Sequence, residues 1–130
     1  MARISELEYR DLARKTGIPF PETRPARPLF RSKAEFAWSQ RLEARRLQGE
    51  IDRWCYEGIT LKLGADCRYT PDFFAVFRDG RLELHEVKGG YIRPDGLVKL
   101  RAAATRFPEF RFVLCQLVKT RWEIEEVRRA

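Results

Sequence analysis

The sequence predicts an α/β domain (α+β by some schemes) in which a central mixed β-sheet is flanked by helices. Three observations carry that expectation. A capped helical stretch runs from Ser32 to Gly49, after which the hydrophobic period changes. The Asp79–Gly80 pair separates two runs rich in aromatic and β-branched residues, which is a hairpin signal. A further helical stretch and two more strand-like runs complete the chain, for an order of α-α-β-β-β-α-β-β.

The elements follow in order. Ser5 to Lys15 reads as a helix stopped by Gly17. The next stretch, IPFPETRPARPLF, carries four prolines and is an extended basic connector. The segment before it is too short for a core of its own, so residues 1–130 read as one domain with an N-terminal appendage over 1–31. Ser32 followed by Glu35 is a capping-box pattern that opens the second helix. Ile51 to Leu63 predicts one or two strands interrupted at Glu57–Gly58. Tyr69 to Phe77 and Arg81 to Lys88 form the arms of the hairpin, and Gly89–Gly90 ends the second arm. Asp95 is expected to cap a third helix reaching Phe107, with Pro108 beyond it. Phe110 to Val118 and Trp122 to Val127 are the last strands. Trp38, Trp54 and Trp122 fit core positions, with base stacking as the alternative role.

No run approaches the ~18 apolar residues needed to cross a bilayer, and the charged N-terminus does not read as a secretion signal. Cys55, Cys67 and Cys115 form no CxxC pair and have no histidines beside them, which points to reduced thiols in a cytoplasmic protein without zinc. Lys and Arg number 26 against 19 Asp and Glu, for a net charge of +7. A polyanionic partner follows naturally, since cations near phosphates release counterions, and arginine's planar fork suits phosphate especially well. Arg45, Arg46 and Lys99 are candidate phosphate contacts; for Lys99 the alternative is an ordinary solvated helix lysine.

The chemistry concentrates in TPDFFAVFRDGRLELHEVKGG. Side chains alternate along a strand, so Leu84, Glu86 and Lys88 share one face, and His85 and Val87 the other. On the opposite arm Asp72 shares a face with Phe74 and Val76, and the tight turn brings Asp72 toward Glu86. Two carboxylates and an ammonium at the edge of an apolar face are costly without a cation, which points to a divalent-metal site. Mg²⁺ prefers oxygen ligands and is typically held by one or two carboxylates plus substrate phosphate, and Mn²⁺ is a natural substitute. Lys88 is then placed to orient or deprotonate the attacking water, or to stabilise transition-state charge. His85 points away from this set and reads as a packed or surface residue.

Pro71-Asp72, with Glu86-Val87-Lys88 beginning fourteen positions after Asp72, resembles the PD-(D/E)XK nuclease superfamily. Within it, RYTPDF, EVKG, the following helix and the strand RFVLCQL are similar to phage Holliday junction resolvases. They are also similar to a group of phage proteins with an SKxE helix ahead of the motif. The resemblance covers Ser32 to the C-terminus. It implies a restriction-endonuclease-like core and Mg²⁺-dependent hydrolysis of DNA phosphodiesters that leaves a 5′-phosphate. It also implies a third acidic residue on the preceding helix. Glu35 matches that position, with Glu43 as the alternative, and Glu35 can in addition complete the capping box. By the same resemblance Asp72, Glu86, the Val87 backbone carbonyl and Glu35 would hold the metal, and Glu35, Asp72, Glu86 and Lys88 would be catalytic.

Resolving a junction takes two symmetric nicks, so that activity implies a homodimer. Two other functions stay open: a nuclease of the same fold acting on linear or single-stranded DNA, and a basic DNA-binding module that does not cut.

Overall fold

The computed structural model describes residues 30–128. The helix expected over Ser5–Lys15, and the connector before Phe30, lie outside them. The first described helix, α1, spans Lys33–Leu47. Ser32 caps it from an extended backbone conformation, its hydroxyl accepting the Glu35 N–H at 3.1 Å. That bond satisfies one of the orphan donors of the first turn, as the sequence pattern anticipates.

The remaining elements are strands β1 (Ile51–Tyr56), β2 (Leu61–Gly64), β3 (Cys67–Tyr69), β4 (Phe73–Phe77) and β5 (Leu82–Lys88), helix α2 (Pro94–Arg106), and strands β6 (Arg111–Val118) and β7 (Arg121–Glu126). Five strands form one mixed sheet in the order β1-β4-β5-β6-β7, and β2 and β3 pair as a separate two-stranded sheet. β5 and β6 run parallel, joined by α2 as the crossover, while the other neighbours are antiparallel. This is the mixed sheet flanked by helices that the sequence predicts, and it is α+β in arrangement.

Alternation along the strands divides the core in two. Phe73, Ala75 and Phe77 of β4, Val87 of β5 and Cys115 of β6 face α1, where they meet Phe30, Ala34, Trp38 and Leu42. Leu84 of β5, with Phe112 and Leu114 of β6, faces the other way, toward Leu100, Ala103 and Ala104 of α2 and Leu61 of β2. Trp38 is fully buried, and Trp54 and Trp122 pack half-buried against the first cluster. Cys55, Cys67 and Cys115 are free thiols. Among the described residues no helix is long and apolar enough to cross a membrane.

Two boundaries differ from the sequence expectation. Tyr69–Phe77 is not one strand: proline at position 71 has no N–H to give a ladder, and the chain breaks there into β3, which turns back onto β2, and β4. Helix α2 starts one residue earlier than its expected cap. Arg93 occupies the cap position without a side-chain bond and Pro94 takes the first turn, where its missing N–H costs nothing. Asp95 lies inside that turn, favourably placed against the helix dipole.

The β4–β5 turn depends on glycine. Gly80 has φ +95°, a conformation L side chains rarely adopt, while Asp79 Oδ1 accepts the Arg81 N–H at 2.9 Å. Gly80→Ala is expected to cost roughly 1–2 kcal/mol. Urea denaturation reads this as a lowered midpoint, and an unchanged midpoint would contradict the turn conformation.

Candidate active site

β4 and β5 pair with Phe73 opposite His85, so one step further along the register sets Asp72 opposite Glu86. Asp72 lies at the entry to β4, directly after the buried Pro71. Two backbone bonds clamp it. Its Oδ2 accepts the Val87 N–H at 2.8 Å, and its carbonyl accepts the Glu57 N–H at 2.8 Å. The carboxyl is therefore fixed to β5 rather than free to swing into solvent. Val87, expected to offer its carbonyl to a metal, is seen here through its N–H, as the group that orients Asp72.

Glu86 sits between two donors. Its Oε1 accepts the Tyr69 hydroxyl at 2.7 Å, and its Oε2 is 3.3 Å from Lys88 Nζ. Lys88 and Glu86 share a face of β5, as strand alternation requires. Lys88 is far more open to solvent, with 40% of its side chain exposed against 13% for Glu86. A cation at the mouth of the site backed by a recessed carboxylate suits an anionic substrate arriving from solvent.

Glu35 reaches the same place from α1. It is only 5% exposed, its Oε2 accepts the Tyr56 hydroxyl at 3.1 Å, and its buried Oε1 has no hydrogen-bond partner among the described residues. Burial, then the nearby charge of Glu86, pushes the Asp72 carboxyl up to about 8; the Val87 N–H works against this, and Glu35 adds to it. Asp72, Glu86 and Glu35 are thus electrostatically joined. Glu43 is occupied elsewhere: it holds Arg46 at 2.6 and 2.8 Å and accepts the Trp54 N–H at 3.1 Å.

Tyr56 and Tyr69 contact the site carboxylates, which sequence reasoning does not find. Both hydroxyls are pushed upward, Tyr69 by burial and the charge of Glu86, Tyr56 chiefly by burial, so they stay protonated and donate to the carboxylates. Tyr69 stands three residues before Asp72. Its role emerges only because β3 folds back with β2 over the second face of the sheet.

His85 is packed. Its Nδ1 accepts from Trp38 Nε1 at 3.0 Å and its Nε2 lies 2.9 Å from Glu83 Oε1. Indole N–H is a donor only, so Nδ1 is bare and Nε2 carries the proton given to Glu83. Of the three candidate phosphate contacts, Arg45 forms a two-point pair with Glu50 at 2.6 and 3.0 Å. Arg46 is engaged with Glu43 and is only 14% exposed. Lys99 is exposed on α2.

Among the described residues, no three His, Cys, Asp or Glu side chains are gathered closely enough to hold a metal ion as they stand. The donor set nonetheless fits a hard cation that keeps most of its waters, which needs only one or two carboxylates together with substrate oxygens. A buried Glu35 oxygen without a partner among the described residues, and a carboxyl that resists ionising at Asp72, are what such an ion would relieve.

That electrostatic strain has a pH signature. The folded chain holds the Asp72 proton up to about pH 8, whereas the ordinary carboxyl releases it near 3.8. This contribution to metal-free stability is therefore full at low pH and is lost as pH rises through about 8. The melting temperature without metal should fall between about pH 5 and pH 8, and fall less in Asp72→Asn. Mg²⁺ or Mn²⁺ should raise it by a few degrees, by mass action on the folded state. Glu35→Gln should shrink that rise and Glu43→Gln should leave it; the reverse would move the third ligand to Glu43.

Comparison of the chain with protein-family models, curated proteins and solved structures finds no match.

Proposed function

We propose that the chain is a metal-dependent DNA endonuclease of the PD-(D/E)XK type, selective for branched DNA in the manner of a Holliday junction resolvase. The observation that carries the nuclease reading is Asp72 held opposite Glu86 with Lys88 3.3 Å from Glu86 at the solvent side. The junction preference rests on the resemblance of RYTPDF, EVKG and the helix and strand that follow. The net charge of +7 suits a polyanionic substrate.

Asp72, Glu86 and Glu35 are the residues that would hold Mg²⁺, with the Val87 carbonyl as a further oxygen. A divalent ion held there would supply an activated water and neutralise charge on the scissile phosphate. Lys88, as an ammonium, would hold a phosphate oxygen and stabilise the charge that builds on the phosphoryl oxygens; in the alternative role its neutral amine would take the proton of the attacking water and become the ammonium. The Tyr69 hydroxyl holds Glu86 so that one oxygen is fixed and the other faces Lys88. The Val87 N–H holds one oxygen of Asp72 and so orients the carboxyl.

The test of selectivity is cleavage of a four-way junction against its matched linear duplex and single strand, with the mass in solution read by light scattering. Paired nicks across the branch by a dimer are expected. A monomer that cuts all three substrates equally would leave a nuclease of the same fold and remove the junction preference. Tight binding without cutting would leave a DNA-binding module.

A further inference from the structure

We infer that the outward face of the β2–β3 hairpin, built on Lys62 and Arg68, is a DNA phosphate clamp beside the site; this rests on reading the chain as a DNA nuclease. In this short antiparallel pair Lys62 stands directly opposite Arg68. Residues directly opposite point to the same face, so the two cations are neighbours, and both are exposed. Like charges placed this way weaken a strand pair, and strands of four and three residues have little stability to spare. Among the described residues neither cation has an ion-pair partner, in contrast to Arg45 and Arg46, each closed on a glutamate. A phosphate between Lys62 and Arg68 turns that repulsion into two attractions.

The other face of the hairpin ties it to the candidate active site. Leu61 is buried against the α2 cluster, Leu63 and Tyr69 pack at its margin, and the Tyr69 hydroxyl donates to Glu86 at 2.7 Å. Arg68 and Tyr69 are consecutive and project to opposite sides of β3. One strand thus carries a cation for the DNA backbone and a hydrogen bond to the site carboxylate. DNA seated with its scissile phosphate at Glu86 and Lys88 would pass a flanking phosphate across this surface.

The experiment measures binding of duplex and junction DNA to the full chain in EDTA, which separates affinity from cutting. Lys62→Gln with Arg68→Gln should weaken binding about tenfold or more for every DNA sequence and reduce the salt slope by about two. The same variant should melt no lower than the parent, because the repulsion is gone. An unchanged affinity and salt slope would overturn the clamp even if the parent cuts DNA. A parent chain that binds no DNA would overturn the clamp and the nuclease reading together.

Discussion

Asp72→Asn and Glu86→Gln should each lower DNA cleavage by at least about 10³-fold while leaving affinity in EDTA within about twofold of the parent. On the proposed reading, affinity comes from cations that meet phosphates and cutting from oxygens that organise an ion and its water, so the two readouts separate. Asp72→Asn keeps size and shape but removes the carboxyl oxygen that stands opposite Glu86 across the strand register. It should also stabilise the metal-free protein above about pH 6, because burial and Glu86 disfavour the Asp72 carboxylate. Lys88→Ala should cost about 10²–10³-fold in rate, the range for losing one fixed transition-state-stabilising group. Near-parental cutting by Asp72→Asn would remove the assignment of the site.

Trp38→Ala should destabilise the chain by about 3–5 kcal/mol, the largest effect expected from a single truncation here. The indole is buried between α1 and the sheet, with ring centroids 4.8 Å from Trp122 and 5.4 Å from His85. Removing it opens a cavity and also leaves the His85 Nδ1, buried with its residue at 1% exposure, without its donor. That nitrogen is the end of a chain of bonds. His85 gives its other ring proton to Glu83, whose Oε2 lies 3.3 Å from both Arg81 and Arg111. Glu83 is only 4% exposed, and although burial raises its carboxyl, His85 and the arginines outweigh this and hold it below its ordinary value. Trp38→Phe keeps a ring but no donor, and should cost about 1–3 kcal/mol. Urea denaturation measures both. A loss under about 1 kcal/mol for Trp38→Ala would contradict the packing described.

The features legible in the sequence are those set by local rules. Ser32 and Glu35 announce the start of α1 because capping needs an oxygen three residues before a free N–H. Asp79–Gly80 announces the β4–β5 turn because a positive φ is needed there. Two-residue alternation then places Glu86 beside Lys88, and the antiparallel pairing places Asp72 opposite Glu86. What the sequence hides depends on chain return and on pairing at a distance. Tyr69 reads as the start of β4 because the run from Tyr69 to Phe77 is strand-like in composition. Only the three-dimensional path shows it pairing with β2 and carrying its hydroxyl to Glu86. Arg45 and Arg46 look like free cations because composition counts charges without their partners, and here Glu50 and Glu43 neutralise them. Nothing local marks Glu83 as buried, since its burial follows from a histidine two residues along the same strand and arginines at the margin of the sheet.

The most direct measurement of the central claim is incubation of the purified chain with end-labelled junction, duplex and single-stranded DNA, in Mg²⁺ and in EDTA, with the new ends identified chemically. The expected result is strand cleavage that requires the divalent cation, leaves a 5′-phosphate, and vanishes in Asp72→Asn. DNA that stays intact with Mg²⁺ and with Mn²⁺ while bound to the protein, or cleavage that persists unchanged in EDTA, would contradict it.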